Sequence, residues 1–103
     1  MTILVNPAGG VYTGRKVCTT AGTAEQLAST SEIIVSIAIQ AETNNTAEVA
    51  VGDSNVVAAD DNERGILLAA GESTTISVMD LSDIWIDAKS SGDGVSYLYL
   101  KAN

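Results

Sequence analysis

The sequence predicts an all-β domain, a sandwich or barrel of roughly eight or nine short strands. Apolar residues alternate with polar or small ones at period two along most of the chain. Clusters of Gly, Asn, Asp and Ser interrupt that alternation at spacings of about 8–12 residues. No stretch is long enough, or periodic enough near 3.6, to demand a helix. A chain of 103 residues with 46% hydrophobic and 17% charged residues is one globular domain with a single core, not a disordered segment.

Residues Thr2, Ile3, Leu4 and Val5 form a short β-prone run, cut off by Asn6-Pro7-Ala8-Gly9-Gly10. Pro7 cannot donate to a ladder and the Gly pair has little conformational preference. Residues 1–10 therefore read either as a first strand and loop or as an N-terminal arm, with residues 11–103 as the sandwich. Val11 to Thr20 alternates and is rich in β-branched residues, with Cys18 expected as a small buried hydrophobe. Ala21-Gly22-Thr23 marks a turn, and Ala24 to Ala28 is taken as a strand.

Glu32 to Ala41 is the strongest strand, with Ile33, Val35, Ile37 and Ile39 on one face and Ile34, Ser36, Ala38 and Gln40 on the other. Ala47 to Val51, Asn55 to Ala58, Ile66 to Leu68 and Ser73 to Met79 follow as shorter strands between polar turns. Asp80 and Asp83 are placed to cap a turn before the last pair of strands. Asp80 to Lys101 then reads as a β-hairpin around Ser90-Ser91-Gly92-Asp93-Gly94, carrying the only Trp and two of the three Tyr. The loop length leaves its register open, with Trp85 opposite either Leu98 or a tyrosine. In either register both faces carry apolar bulk. One fills the core, and the other needs a second sheet or a second protein.

Thirteen acids against five bases give a net charge of −8. Such a surface repels phosphate backbones, and the bases do not cluster beyond Arg15-Lys16, so no nucleic-acid partner is expected. No apolar run approaches the roughly 20 residues a bilayer span needs, and no membrane partner is expected. The N-terminal residues lack the basic start and apolar run of a signal peptide. Cys18 is alone, so no internal disulfide forms, which suits synthesis in a reducing cytoplasm.

The chain contains no His, which removes Ser-His-Asp triads, Cys-His pairs and most zinc sites. Gly9-Gly10 lacks the Lys and Ser/Thr of a phosphate-binding loop. Acid pairs such as Asp60/Asp61 and Asp80/Asp83 are what so acidic a surface produces in solvated loops. Asp53, Asp60, Asp61, Asn62 and Glu63 offer the oxygen donors that a calcium ion takes, without EF-hand spacing. Tyr12, Trp85, Tyr97 and Tyr99 are read as packing or interface residues before they are read as sugar platforms. No catalytic residue, cofactor or metal is assigned.

Five stretches carry a resemblance: Val17–Leu27 (VCTTAGTAEQL), Asn45–Asp53 (NTAEVAVGD), Gly65–Ser73 (GILLAAGES), Leu81–Ala88 (LSDIWIDA) and Gly92–Leu100 (GDGVSYLYL). In this order, over residues 17–100, the chain resembles small β-sandwich virion proteins of tailed bacteriophages, which occur as capsid decoration (cement) proteins or as fibre modules. The resemblance implies a jelly-roll-like antiparallel β-sandwich of about eight short strands. It also implies self-association, often as trimers, attachment to the major capsid protein on the outer capsid surface, and no catalysis. The expected contact residues are Thr2, Ile3, Leu4 and Val5 together with Tyr12, Trp85, Tyr97 and Tyr99. The alternative is a receptor- or glycan-binding module of a phage fibre or spike, in which Trp85 would touch the ligand.

Overall fold

The alternating runs become eight strands in a computed structural model that describes residues 8–78 and 80–102. They are β1 (Ala8–Val17), β2 (Glu25–Gln26), β3 (Ile34–Ala41), β4 (Val49–Gly52), β5 (Ile66–Leu68), β6 (Ser73–Ile76), β7 (Trp85–Ala88) and β8 (Gly94–Ala102). Two antiparallel sheets result, a long one ordered β1-β8-β3-β6 and a short one ordered β2-β7-β4-β5. Strand pairs β1/β8, β2/β7, β3/β6 and β4/β5 are those of a single long hairpin folded at its middle. Pairings β3/β8 and β4/β7 then roll that hairpin into a sandwich, which is jelly-roll topology. Every connection except β4–β5 passes from one sheet to the other.

Each sheet turns one face inward. Ile37, Ile39 and Ala41 of β3 and Val95 of β8 meet Val49 and Val51 of β4, Leu68 of β5 and Ile86 and Ala88 of β7, all fully or nearly fully buried. Cys18, Leu27, Leu81 and Ile84 close the ends of this core. Burying a side chain of this size contributes about 1.5–3 kcal/mol, and no disulfide assists. A smaller cluster of Ala50, Val56 and Ala58 lies on the outer side of the short sheet, where the β4–β5 connection folds back over it.

The region Asp80–Lys101 is not a hairpin. Trp85–Ala88 pairs with β2 and β4, whereas β8 pairs with β1 and β3 in the other sheet. Period-two runs joined by a polar turn are common to a hairpin and to an arch between sheets, so alternation could not separate the two. The arch is fixed from outside itself: Gly92 N–H donates to the Cys18 carbonyl and Cys18 N–H to the Asp93 carbonyl.

In β3 the two faces also differ from strict alternation. The register against β8 shifts between Ile34 and Ser36, a bulge that turns Ile34 inward beside Ile37 and leaves Val35 outward. Ile33 and Val35 therefore face solvent instead of joining Ile37 and Ile39. Asn55 to Ala58 is not a strand; Val57 makes one isolated bridge to Arg64. The β1/β8 ladder is irregular between Ala8 and Gly10, where Gly10 has φ +129°, so β1 runs through the Gly pair. Asp80 caps a single 3₁₀ turn, Leu81–Asp83, by accepting from Ser82 N–H.

Candidate interaction surface

The outer face of the long sheet is built by register. Row by row across the strands, Val11 lies beside Leu100 and Ser36; Thr13 beside Leu98, Ala38 and Thr75; Arg15 beside Ser96, Gln40 and Ser73. Val11 is 63% exposed, Ile33 49%, Leu98 42% and Val35 40%. These four, with Leu100 and Ala38, make an apolar patch at the β1–β8–β3 side. Towards the Arg15 row the face becomes polar, and small side chains leave a shallow groove of about 590 Å³ lined by Thr13, Ala38, Gln40, Ser73, Ser96 and Leu98.

Charge is distributed unevenly around this face. Among the described residues, the outward positions of its four strands carry no carboxylate. Glu42, just past the end of β3, is tied to the Arg15 guanidinium. That contact raises the Arg15 pKa further, through the hydrogen bond and the opposite charge. On a chain with 13 acids, a neutral four-stranded face is a distinct feature.

The tyrosines sit on the other side of the same sheet. Tyr12 and Tyr99 stack at 5.6 Å with 17° between ring planes, and Tyr97 and Tyr99 stack at 6.1 Å. Tyr97 and Tyr99 pack partly buried against the core, and burial, with the neighbouring Tyr99, raises the Tyr97 pKa. Gly14 is covered by the Tyr97 ring, so a Cβ there would lie 2.4 Å from it. Tyr12, 43% exposed, ends the stack at the β1 edge, with the Lys101 ammonium 5.7 Å from its ring centre. Trp85 is elsewhere, half-buried on the outer side of the short sheet against the Ala50, Val56 and Ala58 cluster. The expected aromatic contact residues thus fall into two groups. Thr2, Ile3, Leu4 and Val5 lie outside the described residues.

The acids mostly bind backbone. Asp93, 5% exposed, accepts from Thr46 N–H, the Thr46 hydroxyl and Ala47 N–H at 2.9–3.3 Å. Asp87, 1% exposed, accepts from Gly22 N–H and Ala58 N–H at 2.9 and 2.8 Å. Asp80 accepts from the Ser31 hydroxyl, Ser82 N–H and hydroxyl, and Glu32 N–H, which hold its carboxyl well below the usual range. Burial of Glu25 opposes its charge, but Thr20 N–H, the Lys16 ammonium and Thr19 outweigh that and keep its pKa low.

The loop acids considered for calcium do not converge. Asp53 turns back to Asn55 N–H, and Asp60 shares the Lys89 ammonium with Glu48. Among the described residues no group of three or more acidic or Cys side chains is placed to hold a metal. Cys18 is fully buried, and burial first, then the charges of Glu25 and Asp87, push its thiol up to about 12.

The outer face of the long sheet is the candidate contact surface. Its members Val11, Ile33, Val35 and Leu98 were not among the residues expected from sequence. Leu98 and Leu100 were legible as the second apolar face of β8. Ile33 and Val35 were hidden by the bulge, which reverses their side without leaving a mark in composition. Comparison with family models, with characterised proteins and with solved structures finds no match to the chain.

Proposed function

We propose that the chain is a structural, non-enzymatic component of a tailed-phage virion. In this reading it is a decoration protein that binds the major capsid protein on the outer capsid surface and associates with copies of itself. The observation that carries the reading is the carboxylate-free, partly apolar outer face of the long sheet, whose Arg15 is paired with Glu42, on a strongly acidic chain. A domain that only had to stay dissolved would gain by charging that face, whereas one that packs against protein gains by keeping it neutral. The jelly-roll topology agrees with the architecture that the resemblance implies.

The disposition of the acids supports a scaffold over acid–base chemistry. Asp80, Asp87 and Asp93 spend their oxygens on backbone N–H groups at the crossovers between sheets. The glycan-binding alternative has less to stand on. Trp85 packs on its own domain, and stacked tyrosines cover one another's ring faces, which a sugar would need.

The test is co-sedimentation with heads of the phage that encodes the chain, assembled without it. Saturable binding and slower head disruption on heating are expected. Heads that neither bind the protein nor gain resistance would end the decoration reading.

A further inference from the structure

We propose that the outer face of the long sheet is a self-association surface that packs against the same face of a second copy across a two-fold axis. The inference rests on reading the chain as an interaction protein, but not on the identity of its larger partner. Charge selects the occupant. Two chains of net charge −8 repel wherever their acids meet, and among the described residues the outward positions of this sheet carry no carboxylate, with Arg15 there paired to Glu42. Val11, Val35 and Leu98 at its centre and edge gain from leaving water, and Ala38 and Ser96 between them are small enough to accept side chains from a facing copy.

Geometry selects the symmetry. A face that meets the same face of a second copy makes an isologous contact, closed by a two-fold. Dimers follow, in place of the trimers that the resemblance implies. Area sets the strength. Four strands about 4.8 Å apart, with about 20 Å of shared length, give roughly 400 Å² in projection and about 600 Å² of accessible surface. Two such faces bury about 1,200 Å², the low end for specific interfaces, so association is concentration-dependent and weak to moderate.

Sedimentation velocity of the full chain over a wide concentration range tests this. A monomer–dimer equilibrium is expected, and it should tighten as salt rises from about 20 to about 500 mM, because screening relieves repulsion between the acidic bodies. Ala38→Glu and Thr75→Glu, both at exposed positions on the face, should each weaken dimerisation at least tenfold. Ser54→Glu adds the same charge on an exposed loop outside the long sheet, and should change it by less than threefold. Circular dichroism and urea midpoints confirm that each variant is folded.

A chain that is monomeric throughout, or an equilibrium that Ala38→Glu and Thr75→Glu leave intact, would overturn the proposal. So would a trimer or an association that salt dissolves. Failure of capsid binding with dimerisation intact would instead count against the virion reading alone.

Discussion

Asp93→Asn replaces a carboxylate that serves three donors with an amide that has one oxygen to offer. In the folded chain Oδ2 accepts from Ala47 N–H at 2.9 Å, while Thr46 N–H and hydroxyl reach both oxygens at 3.0–3.3 Å. Asparagine would turn an NH2 group towards one of these donors and leave it without an acceptor, at a site only 5% exposed. Hydrogen bonds to a charged group contribute about 1.5–3 kcal/mol each, and an orphaned buried N–H costs about 1–3 kcal/mol, so a loss of about 3 kcal/mol follows. For a domain whose total stability is about 5–15 kcal/mol, that is a large share. Equilibrium urea unfolding, followed through Trp85 fluorescence, should show a midpoint lowered by about 1–3 M. Asp53→Asn serves as control, because Asp53 accepts one N–H in an exposed turn and its loss should stay within about 0.5 kcal/mol. Equal midpoints for the two variants would refute the claim that Asp93 holds the β3–β4 and β7–β8 crossovers together.

Gly94→Ala should destabilise by about 3 kcal/mol, because its Cβ would sit 2.3 Å from the Lys16 carbonyl oxygen and 2.9 Å from Val17 Cα, neither of which can move without the backbone. Gly14→Ala meets only the tip of the Tyr97 ring and should cost less; urea midpoints rank the two. Acid should weaken the fold through Asp80 and Glu25, whose folded pKa values lie below their ordinary ones. The unfolded chain binds more protons there, so their contribution is complete above about pH 5 and is lost as pH falls through the folded values; Asp80→Asn should flatten that decline in denaturant midpoints. Native Cys18 should resist thiol reagents at about pH 8 and label only as fast as the chain opens, since its pKa of about 12 and full burial leave almost no reachable thiolate; rapid labelling without denaturant would contradict its placement.

The all-β class and most strand positions were legible because a half-buried strand writes its two faces directly into the sequence. Pairing was not. Val95, Tyr97 and Tyr99 alternate with Ser96, Leu98 and Leu100 whether β8 meets β7 in a hairpin or crosses to the other sheet. What decides is the long-range ties of the turn, Cys18 to Asp93 and Asp93 to Thr46–Ala47, which link residues 46 or more positions apart. The same holds for the candidate surface. Leu98 could be found by alternation, but Ile33 and Val35 reach it through a one-residue bulge, and Trp85 leaves it because β7 belongs to the short sheet.

Charge and topology have a common explanation in this chain. A roll made of arches has many places where backbone N–H groups would be left without partners between sheets, and no disulfide to hold those places closed. Carboxylates meet that need: Glu25 of β2, which reaches the N–H groups just past β1, Asp80 before the 3₁₀ turn, Asp87 under the β4–β5 connection and Asp93 between the last two strands each accept backbone N–H groups. Part of the net charge of −8 is thus a structural requirement of the connections. Acids gathered at the crossovers and loops repel other copies there, whereas among the described residues the outward positions of the long sheet offer a like-charged neighbour a face without carboxylates. Asp61→Asn with Glu63→Gln, which removes two exposed loop charges and leaves the carboxylate ties to backbone in place, should make self-association less sensitive to salt without changing the face it uses. Light scattering against salt, with Ala38→Glu in the same background, separates those two effects.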